Sequence, residues 1–279
     1  MTFPGRLDGK AAIVTGAGST PGPGVGTGKA TAIVLAQAGA SVLLVDIHPE
    51  RAAETLEVIE KDGGTAAVFA GDMTSSTDAE GAVRAAADRF GSVDILVNNI
   101  GVAIAGTVAD TSEADWDRSL ALSLRTAFLV SKHAVPVMAA QGGGSIVNIG
   151  SIAGFRGTGN AGYSAAKGGM HGLTVDMAYS HGRQGIRVNA VAPGHITTPL
   201  MYSVLGETPE TEYRQRLAAE STMLGTEGTG WDVAHAAAFL ASDAARWITG
   251  VVLPVDGGVT GVTPLIMADR LRAVPAPSA

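Results

Sequence analysis

The stretch AAIVTGAGSTPGPGVGTGKATA, residues 11–32, decides the fold of this chain. It starts as a continuous apolar run, passes through a turn with glycines at positions 16, 18, 22, 24, 26 and 28, and ends in an alanine-rich helical pattern. A glycine-rich turn between a buried strand and a helix lets backbone N–H groups and the helix dipole meet a pyrophosphate. The stretch therefore predicts a dinucleotide-binding turn, with an ordinary surface loop as the alternative.

Similar apolar runs recur along the chain and alternate with stretches of helical spacing. The runs are residues 11–15, 41–46, 65–70, 93–98, 145–150, 186–191 and 251–255, and the predicted helices are 28–38, 49–61, 76–90, 113–140, 161–181 and 230–241. Runs that are apolar throughout are typical of parallel strands covered on both faces. The alternation predicts an α/β fold, a doubly wound sheet of about seven parallel strands flanked by helices.

No linker divides the sequence, so we expect one dinucleotide-binding and catalytic domain over residues 1–279. Residues 195–230 show no regular pattern and predict a long irregular substrate loop. The Pro/Ala-rich tail, residues 264–279, predicts partial disorder or contact with a neighbouring subunit.

Composition excludes several classes of function. Nineteen Lys and Arg against 26 Asp and Glu give a net charge of −7, which offers no basic face to nucleic acid. The absence of cysteine excludes disulfides, thiolate metal sites and thiol nucleophiles. No apolar run is long enough to span a membrane, and the first residues do not resemble a signal peptide. We therefore expect a cytoplasmic protein with neither nucleic-acid nor membrane partners.

Asp46 ends the second predicted strand, 18 residues beyond Gly28. A carboxylate there can accept hydrogen bonds from the adenosine ribose and would repel a 2′-phosphate. This position favours NAD over NADP, and a solvated strand-end aspartate is the alternative reading.

Tyr163 and Lys167 lie four residues apart in AGYSAAKGGMHGLT, so a helix would place both on one face. A phenol with a pKa of about 10 is a poor base near neutral pH until a positive charge favours its anion. Ser151, at the end of the fifth predicted strand, is placed to donate to the same substrate oxygen. The three residues predict a site that moves a proton while a cofactor moves a hydride. A solvated helix face is the alternative.

In these features the chain resembles the short-chain dehydrogenases/reductases, a Rossmann-fold family, from about residue 7 to residue 258. The matching segments, in the family's order, are the glycine turn, Asp46, GDM at 71–73, NNIG at 98–101, GS at 150–151, YSAAK at 163–167, VNAVAPGHITT at 188–198 and WITGVVLPVDGG at 247–258. Each segment is weak evidence alone, whereas eight in order are strong.

The resemblance implies that Tyr163 exchanges a proton with substrate, Lys167 lowers its pKa and binds the nicotinamide ribose, and Ser151 orients the carbonyl or alcohol. It also implies a set of cofactor contacts: Gly16, Gly26, Thr27 and Gly28 in the turn, Asp46, Asp72 and Met73 around the adenosine, Asn98 and Asn99 near the ribose and central strand, and Ile196 and Thr198 at the carboxamide. Members are usually homotetramers and sometimes dimers, so we expect a homotetramer that packs through helices 113–140 and 161–181.

Two features depart from the family's pattern. Three residues usually separate the first two motif glycines, whereas nine separate Gly16 and Gly26. This implies six extra residues, 19–24, which we call the inserted turn. The family also commonly has an asparagine seven residues after the tryptophan of its fourth helix, where it supports a water in a proton relay. Counting from Trp116 gives Ser123. A serine can still bond a water, so we expect a working relay of altered efficiency, with loss of activity as the alternative.

Other chemistries fit less well. A phosphate-loop NTPase would need glycine at position 23 and Ser or Thr at position 30, which hold Pro23 and Ala30. The six histidines form no metal-binding motif, so we predict no metal site. No G-x-S-x-G elbow supports Ser151 as an acyl nucleophile.

The sequence thus predicts an NAD-dependent oxidoreductase that interconverts a small-molecule secondary alcohol and a ketone. Apolar residues near the predicted substrate loop favour an alicyclic, steroid-like or terpenoid substrate over a sugar; they are Phe155, Met201, Tyr202 and Leu205. Two alternatives stay open: an NADP-preferring carbonyl reductase and a non-catalytic dinucleotide-binding regulator.

Overall fold

The structure, a computed structural model, describes residues 5–272 and 274–275. Its strands are β1 (Ala11–Thr15), β2 (Ser41–Asp46), β3 (Thr65–Ala70), β4 (Ile95–Asn98), β5 (Gly144–Ile149), β6 (Ile186–Pro193), β7 (Ile196–Thr197), β8 (Gly228–Thr229) and β9 (Val252–Val255). Its α-helices are α1 (Thr27–Gln37), α2 (Pro49–Lys61), α3 (Ser76–Phe90), α4 (Glu113–Leu120), α5 (Thr126–Ala140), α6 (Ala161–His181), α7 (Pro199–Leu205), α8 (Pro209–Glu220), α9 (Gly230–Ala241) and α10 (Pro264–Arg272).

Seven strands form one parallel sheet in the order β3-β2-β1-β4-β5-β6-β9, which confirms the predicted doubly wound fold. The chain runs outward from β1 to β3 on one side and from β4 to β9 on the other. Sheets of this kind bind ligands at the carboxyl ends of the strands where the order reverses. The functional site is therefore expected beyond the ends of β1 and β4.

Helices cover both faces of the sheet, and β1 shows how the sequence arranges this. Ala12 and Val14 belong to a core shared with α1, α2 and α9, whereas Ile13 belongs to a core shared with α3, α5 and α6. Alternate side chains of a strand point to opposite faces. An apolar run without alternation therefore contributes to both cores, each apolar Å² buried being worth about 25 cal/mol.

The predicted helix over 113–140 has the predicted bounds, since the chain is helical from Glu113 to Ala140, but it is not α-helical throughout. A π-helical segment, Ala121–Arg125, separates α4 from α5. Such a segment adds a residue to one turn and commonly lies at a functional site. Here it contains Ser123, whose buried hydroxyl accepts a hydrogen bond from the Val102 N–H at 3.2 Å.

The prediction of an irregular segment over 195–230 is wrong, since α7 and α8 lie within it. Both helices have proline at their first position, preceded by Thr198 and Thr208. The Thr208 hydroxyl accepts from the Thr211 N–H, an N-cap that a Thr-Pro pair can signal. The predicted tail is helical over α10, and its residues 273 and 276–279 lie outside the described residues. Among the described residues, no helix has the length and apolar character that a membrane crossing requires.

Candidate active site

A cavity of about 290 Å³ opens at the carboxyl ends of β1, β2 and β4. Residues predicted to contact a cofactor line it together: Gly16, Gly26, Thr27, Gly28, Asp46, Asp72, Met73, Asn99 and Thr198. They come from several separate parts of the sequence. The fold therefore brings most of the predicted cofactor contacts into one place.

The glycine turn is folded tightly against the start of α1. A Cβ on Gly28 would lie 1.9 Å from the Gly16 carbonyl oxygen, so only glycine fits without moving the backbone. The N-cap of α1 is Gly26, and no side-chain hydrogen bond caps this end. The first N–H groups of α1 are consequently left for an external acceptor, and the helix dipole favours an anion there.

Asn99 connects the glycine turn to the sheet. Its Oδ1 accepts from the Thr27 hydroxyl at 2.7 Å, and its Nδ2 donates to the carbonyls of Thr15 and Gly16. Asn98, in contrast, is buried and does not line the cavity. Its Nδ2 donates to Ser131 and Asn148, which joins β4 to β5 and α5. Asn99 thus fixes the cavity wall, whereas Asn98 fixes the sheet.

Asp46 lies at one end of the cavity with its carboxylate held by the backbone. Oδ2 accepts from the Gly18 N–H and Oδ1 from the His48 N–H, each at 2.9 Å. Ile47 lines the cavity beside it and is 60% exposed. An exposed isoleucine next to a fixed carboxylate suits the apolar face and ribose of an adenosine.

Ser151, Tyr163 and Lys167 lie near one another beyond the end of β5. The Ser151 hydroxyl accepts from the Ala153 N–H at 3.1 Å, and Tyr163 and Lys167 occupy successive turns of α6. Lys167 is 2% exposed, and its Nζ lies 5.7 Å from the centroid of the Tyr163 ring. Nζ donates to the Ile149 carbonyl at 2.6 Å, which fixes the ammonium at the end of β5.

Burial sets the electrostatics of these groups. It raises the pKa of Tyr163 above its ordinary value, and a hydrogen-bonding interaction with Ser151 opposes the rise. Burial also lowers the pKa of Lys167 to about 8. The pKa of Tyr163 therefore moves opposite to the direction that the sequence predicts for a base, and its lowering by Lys167 stays a prediction for the state with a bound cofactor.

Gly101 connects these residues to the cavity. It lines the cavity, and a Cβ there would lie 3.0 Å from Lys167 Nζ and 3.5 Å from the Ser123 hydroxyl. Lys167 and Ser123 are therefore the side chains nearest to this residue of the cavity wall. A larger side chain at this position would displace both.

Several predicted substrate and cofactor residues lie elsewhere. Ile196 and Met201 line a second, largely apolar cavity of about 610 Å³ against α8, and not the first one. The Tyr202 hydroxyl accepts from Gln215, and Phe155 packs against the His171 ring at 5.3 Å. The Leu205 side chain lies outside the described residues. The structure thus does not gather the predicted apolar residues into one wall.

Ten further residues of the first cavity were not among the predicted contacts. They are Gly18, Ser19, Thr20, Ile47, Gly71, Ile100, Gly101, Leu122, Thr126 and Leu200. Most of them are direct neighbours of predicted residues at the carboxyl ends of parallel strands. Their position next to a strand end was therefore the signal that could have identified them. Leu122 and Thr126 had no such signal, because they lie in the π-segment and at the first residue of α5, away from any strand end.

Similarity to known proteins establishes the family of this chain. A family model described as enoyl-(acyl carrier protein) reductase matches residues 24–260. The chain belongs to the short-chain dehydrogenase/reductase family. The match covers the chain from the start of α1 to the end of β9 and includes Ser151, Tyr163 and Lys167.

Relatives of the short-chain dehydrogenase/reductase family extend over nearly the whole chain. The 2-(S)-hydroxypropyl-CoM dehydrogenase 3 of Xanthobacter autotrophicus is 38% identical, covering 92% of this chain and 99% of the relative. The cyclohexanol dehydrogenase of an Acinetobacter species is 38% identical, covering 91% and 96%. A solved 7α-hydroxysteroid dehydrogenase, complexed with NADH and 7-oxo glycochenodeoxycholic acid, has a TM-score of 0.82 at 36% identity, covering 92% and 98%. The family uses nicotinamide dinucleotides, and this member is an oxidoreductase of the alcohol dehydrogenase type.

Proposed function

We propose that the chain is an NAD(H)-dependent oxidoreductase that interconverts a secondary alcohol and a ketone through Ser151, Tyr163 and Lys167. The observation that carries the proposal is the closeness of the buried Lys167 ammonium to Gly101, a residue of the cavity that the glycine turn lines. Tyr163 and Lys167, the predicted proton-transfer pair on α6, therefore lie beside the cavity that the glycine turn helps to form.

The cavity residues fit a dinucleotide. The tight turn at Gly28 and the uncapped start of α1 would hold the pyrophosphate, and Asp46 with Ile47 would hold the adenosine. Bound NAD supplies the group that accepts or donates a hydride. Thr198 lines the cavity, which supports its predicted role toward the carboxamide, whereas Ile196 has less support because its side chain lies in the other cavity.

In this proposal each residue of the triad has one task. Tyr163 takes the proton from the substrate hydroxyl, or returns it to the carbonyl oxygen, at its phenolic oxygen. Lys167 stabilises the phenolate, since a positive charge beside an anion favours the charged form. Ser151 donates to the same substrate oxygen and orients it. Ser123 holds the Val102 backbone from the π-segment and supports a water beyond Lys167.

Asp46 supports NAD over NADP as the cofactor. Its carboxylate is fixed by two backbone N–H groups and would face the 2′-position of the adenosine ribose, where a phosphate would be repelled. One observation favours an NADP-preferring reductase: Arg51 lies against Gly18, with its Cβ 2.6 Å from a Cβ built there. A guanidinium near that site could pair with the phosphate.

Fluorescence titration with NADH and NADPH separates these two readings. We expect NADH to bind at least about tenfold more tightly, a difference of about 1.4 kcal/mol. Asp46→Ser should reduce this preference because it removes the repelling charge. Asp62→Ser changes an aspartate that directly follows α2, away from the cavity, and should leave the preference unchanged. Tighter binding of NADPH by the unmodified chain would contradict the assignment to Asp46.

The remaining expectations extend the same proposal. A steroid-like or other alicyclic alcohol is the favoured substrate class, supported by relatives named for cyclohexanol and 7α-hydroxysteroid. A homotetramer is the favoured assembly, supported by exposed apolar side chains on α5 and α6, and a dimer is the alternative. A cytoplasmic location stays a prediction from the sequence.

Turnover tests the proposed function against a non-catalytic regulator, which Ser123 and the inserted turn motivate. We expect a panel of secondary alcohols with NAD at alkaline pH to produce NADH, with alicyclic members turned over fastest. Tyr163→Phe should reduce kcat at least about 100-fold, because the proton acceptor is lost, while NADH still binds. Tyr179→Phe, an exposed tyrosine on the same helix, is the matched control. Binding of NADH with no turnover of any alcohol or ketone would favour the regulator.

A further inference from the structure

The inserted turn lies at the mouth of the cofactor cavity. It leaves the glycine turn after Gly18 and returns at Gly26, whose N–H donates to the Ser19 hydroxyl at 3.2 Å and closes its base. Ser19 and Thr20 line the cavity, whereas residues 21–24 are exposed. One side of the inserted turn therefore faces the cavity and the other faces solvent.

The tip of the inserted turn contacts the segment that leads into α7. A Cβ on Gly22 would lie 3.5 Å from the Pro199 Cβ, and one on Gly24 would lie 3.5 Å from the Thr197 carbonyl oxygen. Thr198 and Leu200, from the same segment, form part of the cavity lining. Two walls of one cavity are thus in contact on its solvent side.

The inserted turn contains two prolines and is anchored at its C-terminal end. Pro21 and Pro23 each fix a backbone φ angle, which restricts the tip. The residue that follows, Val25, packs into a small core between α1 and α9. Its carbonyl oxygen also approaches Gly230 so closely that a Cβ there would lie 2.6 Å away. The inserted turn is therefore held at Val25, while its tip meets the α7 segment.

We propose that the inserted turn is a clasp over the cofactor cavity, and that NAD(H) exchanges only when Pro199 separates from Gly22. The clasp rests on the proposed function, because it takes this cavity as the NAD(H) site. It assigns a role to the six extra residues between Gly16 and Gly26. Its consequence is slow exchange of the cofactor.

A reversible crosslink tests the clasp. The natural sequence has no cysteine, so Gly22→Cys with Pro199→Cys can form only one intramolecular disulfide, and the 3.5 Å between the Cβ positions lies in the range of one. Gly22 has a φ of +141°, which strains a cysteine there, so the reduced form of the same double variant is the reference. The double variant is loaded with NADH, oxidised and mixed with excess NAD, and the loss of NADH fluorescence gives the dissociation rate. We expect the oxidised form to release NADH at least about tenfold more slowly than the same protein reduced with dithiothreitol.

Equal rates in the oxidised and reduced forms would overturn the clasp, and so would two thiols that stay free after oxidation. A second variant lacks residues 19–24, which restores three residues between Gly16 and Gly26. It should release NADH at least about tenfold faster than the natural chain, and an unchanged rate would again overturn the clasp. If the deletion prevents folding, the crosslink decides. Failure of the natural chain to bind NADH would instead overturn the proposed function.

Discussion

At the scale of single residues, Lys167 should make stability depend on pH. Burial lowers its pKa from 10.5 to about 8. Between these values the unfolded chain holds a proton that the native lysine has lost, so the free energy of unfolding rises with pH. At about 1.4 kcal/mol per pH unit the rise totals about 3 kcal/mol. Urea unfolding without cofactor should show this rise in the free energy of unfolding for the natural chain. The rise should be absent in Lys167→Met.

The control for this prediction is Lys61→Met, which changes an exposed lysine at the end of α2. It should keep the pH slope of the natural chain, because the lysine loses no hydration on folding. Below pH 8 the free energy of unfolding should change with pH in the same way in the natural chain and in both variants. The same slope in Lys167→Met and the natural chain between pH 8 and 10.5 would contradict the assignment.

The positions of these residues could be predicted from the sequence, but their electrostatics could not. The spacing of Tyr163 and Lys167 determines that they share a face of any helix that holds them. The pKa of Tyr163 depends on how much water surrounds its hydroxyl, which follows from contacts with residues distant in the sequence. The role of Asn99 in clamping the glycine turn was missed for the same reason, since its partners belong to β1 and α1.

At the scale of elements, the junction of β1 and α1 should tolerate no side chain at Gly28. Gly28→Ala would place a methyl group 1.9 Å from the Gly16 carbonyl oxygen and 2.5 Å from Asn99 Nδ2. The backbone cannot yield as a flexible side chain can, so the turn must open. We expect NADH binding to weaken at least about tenfold and the protein to lose about 1–3 kcal/mol, measured by fluorescence titration and denaturant unfolding.

Gly182→Ala is the matched control for Gly28→Ala. Gly182 has a helical backbone, with φ −58°, and nothing lies within 4 Å of a Cβ built there. Alanine should be neutral or stabilise the fold by up to about 1 kcal/mol, because it restricts the unfolded chain. NADH binding by Gly28→Ala as tight as that of Gly182→Ala would show that the turn is looser than its contacts indicate.

The elements that the sequence predicted well have long apolar patterns. Helices α2, α3, α6 and α9 begin and end at the predicted residues, because apolar spacing and end signals agree there. Helix α8 was missed because of its mostly polar sequence, in which only Thr211 is buried. The π-segment was not predicted, since no local pattern in ALSLR distinguishes it from an α-helical turn, and the contact of Ser123 with the Val102 backbone is visible only in the structure.

At the scale of the whole molecule, the sequence predicted the sheet but not the contact between the inserted turn and α7. A sheet of parallel strands buried on both faces can be connected in only a few topologies. The alternation of apolar runs with helical patterns was therefore sufficient to predict the fold. Gly22 and Pro199 are far apart in the sequence, and only the fold of the whole chain brings them into contact. No local pattern at either residue indicates the other. The features particular to this chain are therefore the ones that required the structure.

The outer face of α5 and α6 should form an interface between copies of the chain. Its exposed apolar residues include Phe128, Val175 and Tyr179, which are 49%, 52% and 89% exposed. Val175 and Tyr179 are four residues apart on α6 and share a face. Burying such a patch in an assembly removes apolar area from water at about 25 cal/mol per Å². This arrangement supports the predicted homotetramer, with a mass of 4 × 28.0 = 112 kDa.

Light scattering after size-exclusion chromatography tests the assembly with a matched pair of variants. Val175→Asp should lower the mass to half or less, because a carboxylate on this face cannot be buried without a partner. Val58→Asp makes the same change on α2, which covers the opposite face of the sheet, and should leave the mass unchanged. A natural chain of 56 kDa, twice 28.0 kDa, would favour the dimer. A monomer, or equal masses for the two variants, would show that α5 and α6 do not form the interface.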